Sequence, residues 1–291
     1  MNGYRGRFAP SPTGDLHFGS LVAALGSWLR ARACGGTWLV RIEDLDPPRE
    51  IAGAAARMLA TLHAFGMTSD EPVVAQSQRQ HRYTTALEHL VERGLAFPCA
   101  CSRKQLEDSG ALHVAACMPP PLGTAHAWRA HCADIEIGFD DAVIGRYTQS
   151  LRRDVGDFVL KRNDGLYAYQ LAVVVDDAAQ GISEVVRGAD LLDSTPRQIW
   201  LQRVLGLPTP DYLHLPLVLD EHGRKLGKSL ASQPVDAANP LPALRAALRF
   251  LGQPDQLGCD DVNELLRCAA TSFDITQIPA SVPSRIAGIS D

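Results

Sequence analysis

"RFAPSPTGDLHFGS", residues 7–20, opens this chain with a short apolar strand that breaks abruptly. Pro10, Pro12 and Gly14 stiffen and turn the backbone, and His17, Gly19 and Ser20 follow. Only then does an amphipathic run begin, with Leu21, Val22, Leu25, Trp28 and Leu29 at helical spacing. "CGG" (Cys34–Gly36) is the glycine signal that stops such a helix. "TWLVRIED" (37–44) then reads as a buried strand ending in acid. Strand, loop, helix and strand in succession form a βαβ unit, so the expected fold is α/β on a Rossmann-type parallel sheet. A loop from strand to helix opens at the carboxyl edge of such a sheet, where nucleotides bind, and the helix N-terminus favours anions. His17 adds a side-chain donor there, and Gly19 lacks the Cβ that would hold off a base or ribose. Taken alone, H-x-G is more often a histidine that merely caps or packs.

The whole chain bounds the answer. Its 291 residues suit one large domain or two smaller ones. Apolar residues make up 46% and charged residues 21%, as in an ordinary globular protein. No apolar run approaches a membrane span and the N-terminus has no secretory apolar segment, so a cytoplasmic protein without membrane attachment is expected. The net charge of −5 weakly opposes a nucleic-acid binder. It leaves room for a local basic face, and Arg146, Arg152, Arg153, Lys161 and Arg162 are the candidates, although a solvated surface gives the same pattern. Seven cysteines do not suggest a disulfide framework, and clustered ones read better as metal ligands.

Residues 50–95 read as mostly helical, and 98–127 as short irregular pieces rich in cysteine and proline. Strand and helix return after 157, with "NDG" (163–165) as a turn. "HLPLVLDEHGRKLGKS" (214–229) is a further strand and turn leading into a lysine loop, Lys225, Leu226, Gly227, Lys228 and Ser229. Two lysines three apart beside a glycine bring mobile positive charge to a polyphosphate, stabilising a phosphoryl transition state more than its ground state. The G-x-x-x-x-G-K-[ST] phosphate loop is absent, so any ATP is held in another way. The tail from 236 reads as a few helices.

In this order and context, "HFGS" (17–20) and "KLGKS" (225–229) resemble the HIGH and KMSKS motifs of class I aminoacyl-tRNA synthetases. "LVRIEDLDP" (39–47), "YAYQLAVVVDDAAQGISEVVRGADLLDSTPRQ" (167–198) and the opening loop resemble glutamyl-tRNA synthetase catalytic sequence from residue 5 to about 235. The glutaminyl branch usually reads "PPEPNG" where this chain has "APSPTG". The resemblance implies a glutamate pocket from Arg7, Phe8, Ala9, Pro10, Ser11, Glu43, Tyr169 and Arg187. In it Arg7 pairs with the side-chain carboxylate, Glu43 with the ammonium, and Tyr169 and Arg187 complete the cage. It implies an ATP site from His17, Gly19, Ser20 and residues 225–229, with His17 and Lys228 catalytic and Mg²⁺ accompanying ATP.

"LHFGSLVAALGSWL" (16–29) and "IEDLDPPRE" (42–50) resemble more closely the truncated paralogues in that family. These activate glutamate without tRNA and transfer it to queuosine at the anticodon wobble position of tRNA(Asp). Too few residues follow Ser229 for the usual anticodon-binding module. The implied organisation is a first half of the catalytic domain (1–97), a zinc-containing insertion facing the acceptor (98–160), a second half (161–235) and a helical extension (236–291). The expected partners are glutamate, ATP and queuosine-containing tRNA(Asp), with the chain a monomer. Two alternatives stay open: a glutamyl-tRNA synthetase charging tRNA(Glu), and a non-catalytic binding protein of synthetase type.

"CACSRKQLEDSGALHVAAC" (99–117) offers Cys99, Cys101, His113 and Cys117 as C-x-C-x11-H-x3-C, a donor set for one structural, tetrahedral Zn²⁺. The last two, four apart, would share one helical face. The paralogues generally carry tyrosine where His113 stands. His126, His131 and Cys132 are nearby alternatives, and Cys34, Cys259 and Cys268 read as buried small hydrophobes.

Overall fold

The computed structural model describes residues 3–101, 105, 113, 117, 120–121, 123–218, 233–256 and 258–280. β1 (Arg5–Phe8) leads through the opening loop into α1 (Phe18–Ala33) and back to β2 (Thr37–Ile42). β1 and β2 pair in parallel, Arg7 opposite Leu39, which is the βαβ unit expected from the sequence. α1 stops at Cys34 and Gly35, whose φ of 60° lies in the left-handed region that glycine adopts without cost. β3 (Val74–Ala75) adds to the outer edge of β2.

α2 (Ala54–Ala64) and α3 (Gln80–Glu92) fill the stretch read as helical. Beyond 157 come β8 (Val159–Lys161), α4 (Tyr169–Ala179), β9 (Glu184–Gly188), α5 (Thr195–Leu205) and β10 (Asp211–Leu215). β9 and β10 are parallel, and β9 runs beside β1, tied by Ser183 N–H to Arg5 O at 2.9 Å. Strand order therefore reverses between β1 and β9, the switch point at which open α/β sheets bind ligands.

Side chains alternate across this sheet as a doubly covered sheet requires. Trp38 and Val40 of β2 face one core with Leu21, Leu25 and Leu29 of α1, whereas Leu39 faces a second core with Leu171, Val174 and Trp200. α6 (Pro240–Phe250) and α7 (Val262–Ser272) pack on α1, placing Leu248 and Leu266 in the first core. Fully burying one such leucine contributes about 1.5–3 kcal/mol, so these tail helices share the stability of the sheet they cover.

Strands flank the stretch read as irregular, most of which lies outside the described residues. β4 (Ala96–Cys99), β5 (Ala127–Ala130) and β8 make a three-stranded antiparallel sheet. β6 (Glu136–Asp141) and β7 (Gly145–Ser150) form a hairpin whose first strand joins β10 in parallel, Asp141 opposite Tyr212. Part of the insertion is thus an edge of the catalytic sheet. The cysteine expectation also needs correction: Cys259 is buried, but Cys34 is exposed and Cys268 half-buried.

Part of the basic stretch is paired with carboxylates. Arg146 pairs with Asp140, Arg162 with Asp46 and Asp164, and Lys161 lies over the Tyr167 ring at 4.7 Å. Among the described residues no helix is long and apolar enough to cross a membrane.

Candidate active site and metal cluster

Charged and polar residues inside apolar strands set the floor of the site. Arg7 on β1, Arg41 on β2, Arg187 on β9 and His214 on β10 are all buried near the carboxyl ends of their strands. Unpaired buried charge is costly, so each must find a partner. Arg7 donates to both oxygens of Asp177 on α4, at 3.1 and 3.2 Å, and Arg41 reaches the same carboxylate at 2.8 Å. Arg41 also bonds Glu43 at 3.2 Å. Burial opposes the charge of Asp177, yet the two guanidinium groups hold its carboxyl below the usual range. Glu43 goes the other way: burial raises it, and Arg41 and Arg7 only partly offset that.

Arg187 is held by five contacts. Its Nε donates to His214 Nε2 at 3.1 Å, Nη1 to the Tyr169 hydroxyl at 3.2 Å and to Gln198 at 2.8 Å, and Nη2 to Leu191 O and Thr195. His214 Nδ1 faces Asp141 Oδ2 at 2.6 Å, which leaves Nε2 the acceptor. Burial pushes the His214 imidazolium down to about 4, so the ring is neutral.

Above this floor lies a cavity of about 570 Å³. Ser11, Glu43 and Tyr169 line one side, and Cys99, Cys101, His126, Arg129 and Arg162 the insertion side. Of the predicted glutamate residues, three therefore meet in one cavity. Arg187 touches it through Tyr169, whereas Arg7, paired with Asp177, does not line it. Phe8 packs into the core, and the Pro10 carbonyl accepts Glu43 N–H at 2.9 Å, pinning the opening loop to the end of β2.

His17 caps α1: Nδ1 accepts from Ser20 N–H at 3.2 Å, and Nε2 lies 3.1 Å from Ser20 Oγ. It is also exposed, so capping and ligand contact are compatible. A Cβ at Gly19 would meet only the His17 ring, at 3.3 Å. The fold itself thus makes little demand for glycine there. Lys225, Leu226, Gly227, Lys228 and Ser229 lie outside the described residues. Just past them, Pro234 bridges to His17 and Val235 N–H donates to Leu16 O at 2.9 Å.

The metal donors do converge. Nε2 of His113 lies 2.9 Å from Sγ of Cys117, 3.6 Å from Cys99 and 3.8 Å from Cys101, and all four ligand atoms fall within 4.8 Å of one another. Tetrahedral Zn²⁺ with sulfur and nitrogen ligands separates its donors by about 3.5–3.8 Å, so a Cys₃His set of this size fits one ion. Neither His113 nor Cys117 lies in a helix, so the shared helical face expected from their spacing is not how they meet. The alternatives stand outside this cluster: Cys132 Sγ bonds Gly156 O, His126 Nδ1 bonds Thr124 O at 2.9 Å, and His131 lies 4.0 Å from Asp157.

Sequence reading missed Arg41, Asp141, Asp177 and His214. The signal was present, since each is a polar residue inside or beside an apolar run ("WLVRI", "FDDAVI", "VVVDDA", "YLHL") where only a buried partner makes it tolerable.

Comparison with known proteins agrees with this geometry. A family model described as tRNA synthetases class I (E and Q), catalytic domain, matches residues 4–117 and 123–252. A glutamyl-Q tRNA(Asp) synthetase of Xanthomonas oryzae pv. oryzae is 60% identical over 279 residues, 95% of this chain and 93% of that protein. One from Burkholderia mallei is 54% identical over 288 residues, 94% of this chain and 97% of its own. The solved glutamate-tRNA synthetase of Elizabethkingia anophelis shares the fold at a TM-score of 0.83 and 23% identity, covering 97% of this chain and 68% of that one. The family match, on the parallel-sheet fold described above, defines a class I ligase. The chain belongs to the class I tRNA synthetases (E and Q), within the family of the glutamyl-Q tRNA(Asp) synthetases.

Proposed function

We propose that this enzyme activates glutamate with ATP to glutamyl-adenylate, without tRNA, and then transfers glutamate to the queuosine of the tRNA(Asp) anticodon. The observation that carries the reading is the cavity beyond the carboxyl ends of β1 and β2, lined by Ser11, Glu43 and Tyr169 together with Cys99 and Cys101 of the Cys₃His insertion. The names of its relatives support the acceptor.

The glutamate α-carboxylate attacks the α-phosphorus of ATP in line, forming the acyl–phosphate bond as pyrophosphate leaves. A carboxylate is already a nucleophile, so no general base is needed, and catalysis is positioning plus charge stabilisation. Tyr169 accepts a hydrogen bond from Arg187 and keeps its own proton for a ligand carboxylate. Burial raises its pKa further, so at neutral pH it remains a donor. Glu43 takes the ammonium, and Arg7, paired with Asp177, supplies positive charge.

His17 and Gly19 receive the phosphate region. Lys228, helped by Lys225, follows the leaving pyrophosphate, with Mg²⁺ accompanying the nucleotide. Leu226 conserves the volume of the family's usual methionine, and Gly227 loses a serine hydroxyl. Ser20, Leu226, Gly227 and Ser229 complete the ATP contacts. Cys99, Cys101, His113 and Cys117 would hold one Zn²⁺, whose part is to fix the insertion wall of the cavity.

Charging with labelled glutamate and ATP on tRNA from ordinary cells and from cells unable to make queuosine tests this. Label on the queuosine-bearing pool alone is the expected result. Equal label on both pools would mean a glutamyl-tRNA synthetase for tRNA(Glu). Absence of ATP binding in titration calorimetry would revive the non-catalytic reading.

A further inference from the structure

His113 is a ligand with a choice that its three cysteine partners lack. A neutral imidazole carries one N–H, and only the tautomer protonated on Nδ1 leaves Nε2 free to bind a metal. Nε2 is the nitrogen that faces the three sulfurs. Nδ1 points away from them, to Oδ2 of Asp157 at 3.0 Å, and both residues are buried.

We propose that Asp157 is the positioning residue of the metal cluster, holding His113 in the tautomer and orientation that present Nε2 to Zn²⁺. The proposal rests on the zinc reading above and adds a residue outside the ligand motif. Every polar group of Asp157 is committed. Oδ1 accepts Cys132 N–H at 2.9 Å, its own N–H donates to His113 O at 2.7 Å, and its carbonyl accepts Arg129 Nη1 at 2.9 Å. The carboxylate therefore has to accept with both oxygens at once. An amide cannot, because its nitrogen would face either Cys132 N–H, donor against donor, or His113 Nδ1, where it favours the tautomer that cannot ligate. Arg129 lines the cavity, so the same residue ties the metal cluster to the wall facing the acceptor.

The test is zinc affinity of the full chain, stripped and titrated against a chromophoric chelator, for the unaltered protein, D157N, H113C and the double variant. A thiolate has no tautomer to select. D157N is expected to weaken zinc about 10–100-fold with His113 present and less than about threefold in the H113C background. Unchanged affinity in D157N overturns the proposal. An equal loss in both backgrounds does so too, by assigning Asp157 to the fold of the insertion alone. Failure of the unaltered chain to take up one zinc removes the zinc reading and the proposal together, and is seen before any substitution is made. Should D157N not fold, NMR of the imidazole nitrogens in the zinc-loaded unaltered chain reads the tautomer directly. Nδ1 protonated with Nε2 on the metal is expected, and the reverse overturns the proposal.

Discussion

At the scale of single residues, Arg187 commits all five of its N–H groups to His214, Tyr169, Gln198, Leu191 and Thr195. Tyr169 is the one of these partners that lines the cavity, so on the proposed function a ligand carboxylate would meet this cation mainly through it. Tyr169→Phe removes the hydrogen bond from Arg187 and the one proposed to the ligand, but no packing. It should raise the KM for glutamate about 5–10-fold and leave that for ATP unchanged, the worth of a single polar contact. Steady-state pyrophosphate exchange at varied glutamate measures it, and an equal rise for ATP would move Tyr169 out of the pocket. Lys228 is predicted to act later, on departing charge. Lys228→Ala should leave the far-UV spectrum intact and lower pyrophosphate exchange at least about tenfold. An unchanged rate would remove Lys228 from the site.

At the scale of elements, the tail segments are bound to the core by leucines and to each other by close backbone contact. Gly252 follows the end of α6 at a φ of 70°, and a Cβ there would stand 2.1 Å from Gln277 O. Gly206, after α5, has a similar φ of 66° and open space around it. Gly206→Ala should therefore cost about 1 kcal/mol, the left-handed strain alone. Gly252→Ala should cost about 2–3 kcal/mol, because backbone must also move. Urea midpoints of the two variants compare them directly, and equal losses would mean that the Gln277 contact yields freely.

For the whole molecule, the buried Asp141–His214–Arg187 chain makes stability depend on pH. His214 protonates near its ordinary 6.5 when unfolded but only near about 4 when folded, because burial disfavours its charge. Between those values the unfolded state binds the extra proton, so stability is fully present above about pH 6.5 and falls as the pH drops towards 4. The full loss is about 3 kcal/mol, with about 2 kcal/mol gone by pH 5. Asp141 is held below the usual carboxylate range by His214 and backbone N–H groups, against its burial, so its own contribution goes only at lower pH. Denaturation at about pH 7.5 and about pH 5 reads the slope, and His214→Gln should flatten it. A slope unchanged in that variant would assign the titration to another group.

What the sequence determined by itself was local: the βαβ opening from periodicity and punctuation, the glycine stop after α1, and four metal donors set apart by residue type. Its resemblance to a family named Ser11, Glu43 and Tyr169, which do meet in one cavity. Tertiary structure alone decided which carboxylate answers which arginine, since Arg7, Arg41 and Asp177 come from distant elements and meet only when the sheet closes. It also decided that β6 and β7 complete the catalytic sheet, and that His113 has Asp157 behind it. Spacing along a chain reports which residues share a face of one element. Charge pairing in a buried site is chosen by the cost of leaving any partner unpaired, and that cost exists only once water has been excluded.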